Sequence, residues 1–159
     1  MESADGLNNR DRPMLRAALV IALALPCAAV AQEAPTLAIA WPPADAVIPL
    51  SAPGEIGVIV SSNFALKPAG DCGEDSRCGH IHMKIDPQGD TCNESADHPY
   101  NSRNSDFGGD LIKARFGLCP QPAGKHVIGV LLADDHHKPV LVEGKPVTAL
   151  VEVTTTAAP

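Results

Sequence analysis

Beyond residue 36, apolar positions come in short runs cut by Pro, Gly, Asp and Ser. Leu37–Trp41 is stopped by Pro42-Pro43, and Ala46–Leu50 follows as a second short extended piece. Ile56–Ser62 is β-branched and long enough for a strand. His80–Asp86 alternates strictly, with His80, His82, Lys84 and Asp86 on one side and Ile81, Met83 and Ile85 on the other. Leu111–Leu118 alternates loosely. His126–Ala133 is apolar on both faces after its histidine, which suits a buried strand. Val147–Thr155 is a final β-branched run.

About seven short strands, closely spaced turns and no helical periodicity after residue 31 predict an all-β fold. The expected architecture is an antiparallel immunoglobulin-like β-sandwich over residues 37–155. Residues 32–36 would be a linker and 156–159 a disordered tail. Residues 87–109 form a long polar loop, and loops of that length are often functional or disordered.

The start of the chain has a different pattern. Arg10, Arg12 and Arg16 precede an apolar run over Ala17–Leu25, and Ala29-Val30-Ala31 offers a small-x-small cleavage site. Residues 1–31 therefore read as a secretory signal peptide, with Met14 as an alternative start. The apolar run is too short to span a bilayer, so no transmembrane segment is expected after cleavage. Cys27 follows Pro26 rather than a small residue and is assigned to the discarded leader, not to a lipid anchor. The expected location is the periplasm or the medium of a bacterium.

Composition narrows the function. The 159 residues include 12 Lys and Arg against 19 Asp and Glu, a net charge of −7 that disfavours nucleic acid as a partner. With three Phe, one Trp and one Tyr, the chain has little with which to build a stacking platform for bases. The core must be mostly aliphatic.

Four cysteines remain after the leader: Cys72, Cys78, Cys92 and Cys119. An even number in a small exported domain reads as two disulfides. Three pairings are open. Cys72–Cys78 with Cys92–Cys119 is favoured, because the first pair brackets a short polar loop. The rival is a zinc site, which the absence of paired C-x-x-C spacing and an oxidising compartment disfavour.

The histidines carry the main chemical signal. His80 and His82 are alternate residues of one predicted strand, so both imidazoles can meet one metal ion. With Ile81, Met83 and Ile85 facing the core, the two histidines are expected on the wetter face. Candidate further ligands are His126, His136, His137, Asp134 and Asp135. Neutral imidazole suits copper and zinc alike. The plainer reading treats these histidines as solvated surface or as hydrogen-bonding pins for loops, and Asp-Asp-His-His-Lys-Pro as an ordinary hydrophilic turn. No G-x-S-x-G elbow, phosphate-binding glycine loop or H-E-x-x-H motif is present, and no catalytic residue is assigned.

Several short motifs occur in a fixed order: Pro42-Pro43-Ala44-Asp45-Ala46-Val47, Val58–Asn63 with Lys67-Pro68-Ala69-Gly70, and Gly79-His80-Ile81-His82-Met83-Lys84-Ile85-Asp86. Phe107-Gly108-Gly109, Pro122-Ala123-Gly124-Lys125-His126 and Leu131–His137 follow. Over roughly residues 40–155 this order resembles a family of small exported bacterial proteins classed as a domain of unknown function. Its members carry a Gly-His-His-His-type strand ending in Ile-Asp, a Pro-Gly-x-His-Thr turn and an Asp-x-x-His strand end. The resemblance implies an exported β-sandwich with grouped histidines and no particular reaction. The chain departs from the pattern at Ile81, where the family often has His, and in its two cysteine-bearing loops. A fainter likeness is to copper/zinc superoxide dismutase, whose glycine-rich zinc loop and C-terminal arginine pattern are missing here.

Three functions stay open on sequence. The first is an exported binding module holding copper or zinc. The second is a cell-envelope module that meets a partner protein and holds no metal. The third is a metal-dependent enzyme of superoxide dismutase-like type. Binding is favoured over catalysis, and the sequence gives no oligomeric state.

Overall fold

A computed structural model describes residues 32–52, 54–88, 92, 100 and 109–157. The predicted signal peptide, His98 and most of the 87–109 loop lie outside the described residues. Ten strands and one 3-10 turn are present among the described residues: β1 Leu37–Trp41, β2 Ala46–Pro49, β3 Glu55–Ser62, β4 Ala65–Leu66, β5 Cys78–Ile85, β6 Leu111–Arg115, β7 Gly124–Ala133, β8 Leu141–Val142, β9 Lys145–Pro146 and β10 Thr148–Thr156. The 3-10 turn, Phe116–Leu118, ends the run predicted as one strand over Leu111–Leu118. β4 and the β8–β9 hairpin have no counterpart in the sequence reading, because two-residue strands leave no periodicity to detect. β10 extends through Thr156, into the segment expected to be tail.

The strands form two main sheets. One has the order β1-β3-β6 and the other β2-β10-β7-β5-β4. The fold is the expected β-sandwich. Most pairings are antiparallel, while β2 runs parallel to β10 and β4 parallel to β5. Pro42-Pro43 ends β1 on the first sheet, and the chain re-enters as β2 on the second, so the N-terminal segment joins both layers.

Strand alternation builds the core. Ile56, Val58 and Val60 of β3 with Ile112 and Ala114 of β6 meet Ile81, Met83 and Ile85 of β5, Ile128, Val130 and Leu132 of β7, and Val151 and Val153 of β10. These side chains are almost all aliphatic, and Phe116 is the one fully buried Phe, Tyr or Trp among the described residues. Burial of this aliphatic surface is the main drive to fold, at about 25 cal/mol for each Å² of apolar area removed from water.

Both favoured disulfides are present. Cys72–Cys78 closes the loop before β5, and Cys92–Cys119 ties the long polar loop to the end of the 3-10 turn.

Candidate metal centre

β5 and β7 set the site. His80 pairs with Ala133, His82 with Leu131 and Lys84 with Gly129. Directly opposed residues of an antiparallel pair share a face. His80 and His82 therefore stand on the outer face of the five-stranded sheet, while Ile81 between them and Met83 after them point into the core. The expected side is correct, but the expected wetness is not. His80 is 1% exposed and His82 6% exposed. The rings are covered because the turn leaving β7 folds over them and delivers His137, whose ring packs 4.6 Å from that of His80 and 5.3 Å from that of His82.

The three rings converge on one point. His80 Nε2 lies 2.8 Å from His82 Nε2, and His137 Nδ1 lies 3.2 Å from each. A tetrahedral zinc site with nitrogen ligands near 2.05 Å has nitrogen–nitrogen edges of about 3.3 Å. The triangle, with edges of 2.8, 3.2 and 3.2 Å, is close to that size.

Neutral imidazoles account poorly for the triangle. Each ring nitrogen is either protonated or carries a lone pair. With three nitrogens and two states, at least two must match, so at least one edge sets hydrogen against hydrogen or lone pair against lone pair. A cation facing three lone pairs satisfies all of them.

The turn that carries His137 is held by two aspartates. Asp134 Oδ1 accepts the backbone N–H groups of His136 at 2.8 Å and Lys138 at 2.9 Å. The Asp134 N–H donates to the Lys138 carbonyl at 2.8 Å, closing the turn. Burial pushes the Asp134 carboxyl upward, but the Lys138 and His136 amides together with the charges of those two side chains outweigh it, and the net shift is below the ordinary value. Asp135 Oδ1 accepts the N–H groups of Gly70 at 2.7 Å and Cys72 at 3.2 Å, tying the disulfide loop to the same turn. Both carboxylates thus serve backbone amides.

Two local conformations complete the geometry. His137 has φ +61°, a left-handed conformation uncommon outside glycine. Such strain persists only where the surroundings fix it, and here it turns the ring back over the sheet. Gly79 has no Cβ where one would collide with the Ala133 carbonyl oxygen. The glycine lets β5 and β7 approach closely beside His80.

The remaining histidines lie elsewhere. His136 is exposed and belongs to neither of the two ligand clusters found among the described residues. His126 pairs with Val153 and faces the core, on the opposite side of the sheet from His80 and His82. It is five register positions from the partner of His82, about 17 Å along the strand. His126 Nδ1 lies 2.8 Å from Asp86 Oδ2, and Asp86 Oδ1 accepts the Val127 N–H at 2.8 Å. Its ring also packs 5.1 Å from Phe116. Sequence reasoning had no means of placing it, because the register of β7 against β5 decides both face and height.

No family model matches the chain, and no curated protein matches it. Among solved structures it is similar to fibronectin(III)-like modules of Clostridium thermocellum CbhA, at 10% identity and a TM-score of 0.45, over 78% of this chain and 100% of that chain. It is also similar to the PKD domain (329-428) of human KIAA0319, at 14% identity and a TM-score of 0.36, over 79% of this chain and 83% of that chain. The strands of the chain thus form a β-sandwich with a three-histidine cluster on the outer face of its larger sheet, His80 and His82 buried and His137 exposed.

Proposed function

We propose that this protein is an exported binding module that holds a copper or zinc ion through His80, His82 and His137. The observation that carries the reading is the convergence of three ring nitrogens within 3.2 Å of one another. Two ligands come from a rigid strand and the third from a pinned turn, so the site is largely formed before the ion arrives. Three protein ligands leave a fourth direction for water or an exogenous ligand. Because His137 is exposed, the ion can enter and leave from the solvent side of the turn. Such a site suits buffering or handing on a metal better than permanent stapling, which uses a closed shell of four ligands. Two disulfides and the leader-like start support export. No helix among the described residues is long and apolar enough to cross a membrane.

The test is elemental mass spectrometry on untagged protein, followed by titration with Zn(II), Cu(I) and Cu(II). One tightly held equivalent, lost in a His80→Ala/His82→Ala variant that keeps its fold, is the expected result. Absence of stoichiometric binding, or unchanged stoichiometry in that variant, would remove the site.

A further inference from the structure

A second group of ligand atoms lies at the other end of the sheet, on its inner face. Cys92, Cys119 and His126 place their two sulfurs and one ring nitrogen within 4.8 Å of one another, and all three residues are buried. The sulfurs are joined in a disulfide. The imidazole beside them is arranged as a metal-binding histidine is. Its Nδ1 meets Asp86 Oδ2 at 2.8 Å, and the ring is more than nine-tenths buried. Its other nitrogen, Nε2, is buried with no hydrogen-bond partner among the described residues. A buried ring nitrogen without a partner has lost its water and gained nothing in exchange, so it is unfavourable as it stands. A carboxylate on one imidazole nitrogen and a metal on the other is the common outer arrangement of histidine ligands.

We infer that Cys92, Cys119 and His126 form a redox-controlled second metal site, closed while the disulfide stands and opened by its reduction. The ligand is a single thiophilic ion of the Zn(II) or Cu(I) type, since two thiolates and an imidazole are soft-to-borderline donors. Asp86 is the positioning residue. It fixes the tautomer that keeps Nε2 as the donor.

Reduction requires an external dithiol, either a small molecule or the active site of a thiol–disulfide exchange protein. A cavity of about 340 Å³ lined by Cys119, Pro120, Gln121, Gly124, His126 and Asp86, among others, gives it a route to Cys119. One thiolate of the dithiol attacks Cys119 Sγ, and the Cys119–Cys92 bond breaks. Cys92 Sγ leaves with the electron pair and takes up a proton. In the disulfide this sulfur has no proton to donate, and it lies 3.6 Å from Asp86 Oδ2. The second thiol of the dithiol then displaces Cys119 from the mixed disulfide. The dithiol ends oxidised, and the protein ends with two thiols. Metal binding releases both thiol protons to solvent.

The test uses Co(II), which gives a thiolate-to-metal charge-transfer band, on full-length protein carrying His80→Ala and His82→Ala so that the first cluster contributes nothing. A phosphine serves as the reductant. The expected result is one equivalent of Co(II) with the thiolate band in reduced protein and no band in oxidised protein. Cys92→Ser/Cys119→Ser, which keeps Cys72 and Cys78, should show no band. Asp86→Asn should keep the band with about 10–100-fold weaker binding, the usual cost of losing an outer carboxylate. Circular dichroism reports whether the reduced protein is folded, and an unfolded reduced form should refold as the ion is added. A missing band in reduced protein would overturn the site. So would a band that survives in Cys92→Ser/Cys119→Ser, or equal affinity in His126→Ala. A reduced form that stays unfolded with the ion present would overturn it too.

Discussion

The Nε2 atoms of His80 and His82 lie 2.8 Å apart, less than half the ~6.8 Å between alternate residues of an extended strand. Their rings lean toward each other rather than standing parallel, and His137 closes the group from above. A bulky or cationic pair at these positions would splay outward. On the proposed reading, a shared ion would account for two identical polar rings packed nearly tip to tip.

Replacement of any one of His80, His82 or His137 by Ala should weaken metal binding by more than the 10–100-fold typical of outer contacts. His136→Ala should leave affinity unchanged, since its ring lies outside the cluster. Competitive titration with a chelator of known affinity measures both. Equal losses at His136 and His137 would show that the turn matters and the ligand assignment is wrong.

Asp134→Ala should weaken metal binding about tenfold without removing a ligand, because it frees the turn that aims His137. The lost amide bonds are partly exposed, so the stability cost should be modest, about 1 kcal/mol. The sign with pH follows from the direction of the shift. The folded carboxyl titrates below its unfolded value. Its contribution is complete above the ordinary carboxylate range and fades as pH falls through the lowered value. Thermal melts of wild type and variant should therefore converge in strong acid and differ at neutral pH.

How much of this was legible in the chain depends on which period carried the signal. The alternation over His80–Asp86 gave β5, its core face and the shared side of His80 and His82. The β-branched runs gave β3, β7 and β10 within two residues at each end. His137 was visible only as one of two adjacent histidines in a turn. Which of the pair reaches the sheet depends on a left-handed φ that the local sequence does not announce. Asp134 and Asp135 are candidate ligands on sequence because they stand beside His136 and His137 at the end of the His126 strand. The structure gives their oxygens to backbone amides, the ordinary habit of Asp in turns. Gly79 sits in the quoted motif, yet its reason is a close approach to Ala133, a contact between residues far apart in sequence.

Gly79→Ala should destabilise the fold by about 1–3 kcal/mol or more, because the added methyl meets backbone and not a flexible side chain. It should also lower metal affinity, since β5 must shift beside His80. Denaturant unfolding and metal titration of one sample test both. A neutral result would mean that the two strands separate more easily than their pairing suggests.

The two disulfides should differ in their effect on stability. Cys72 and Cys78 are six residues apart, and Cys92 and Cys119 are 27 apart. Loop-closure entropy gives about 2.4 kcal/mol for the shorter and about 3.6 kcal/mol for the longer. Cys72→Ser/Cys78→Ser should lower the melting temperature less than Cys92→Ser/Cys119→Ser. It should also loosen the Asp135 anchor and so weaken metal binding. The reverse order of melting temperatures would show that the shorter loop organises more of the fold than its length implies.

The division of the N-terminal segment between the two sheets has a mechanical consequence. β2 runs parallel to β10, with Ala46–Pro49 set against Val153–Thr156. A pull backward on the start of β2 and forward on the end of β10 loads their hydrogen bonds sideways and together. Bonds loaded in shear must fail as a set, whereas an antiparallel hairpin pulled from its open end would unzip one bond at a time. The edge strand β2 and its neighbour β10 thus form a clamp against stretching.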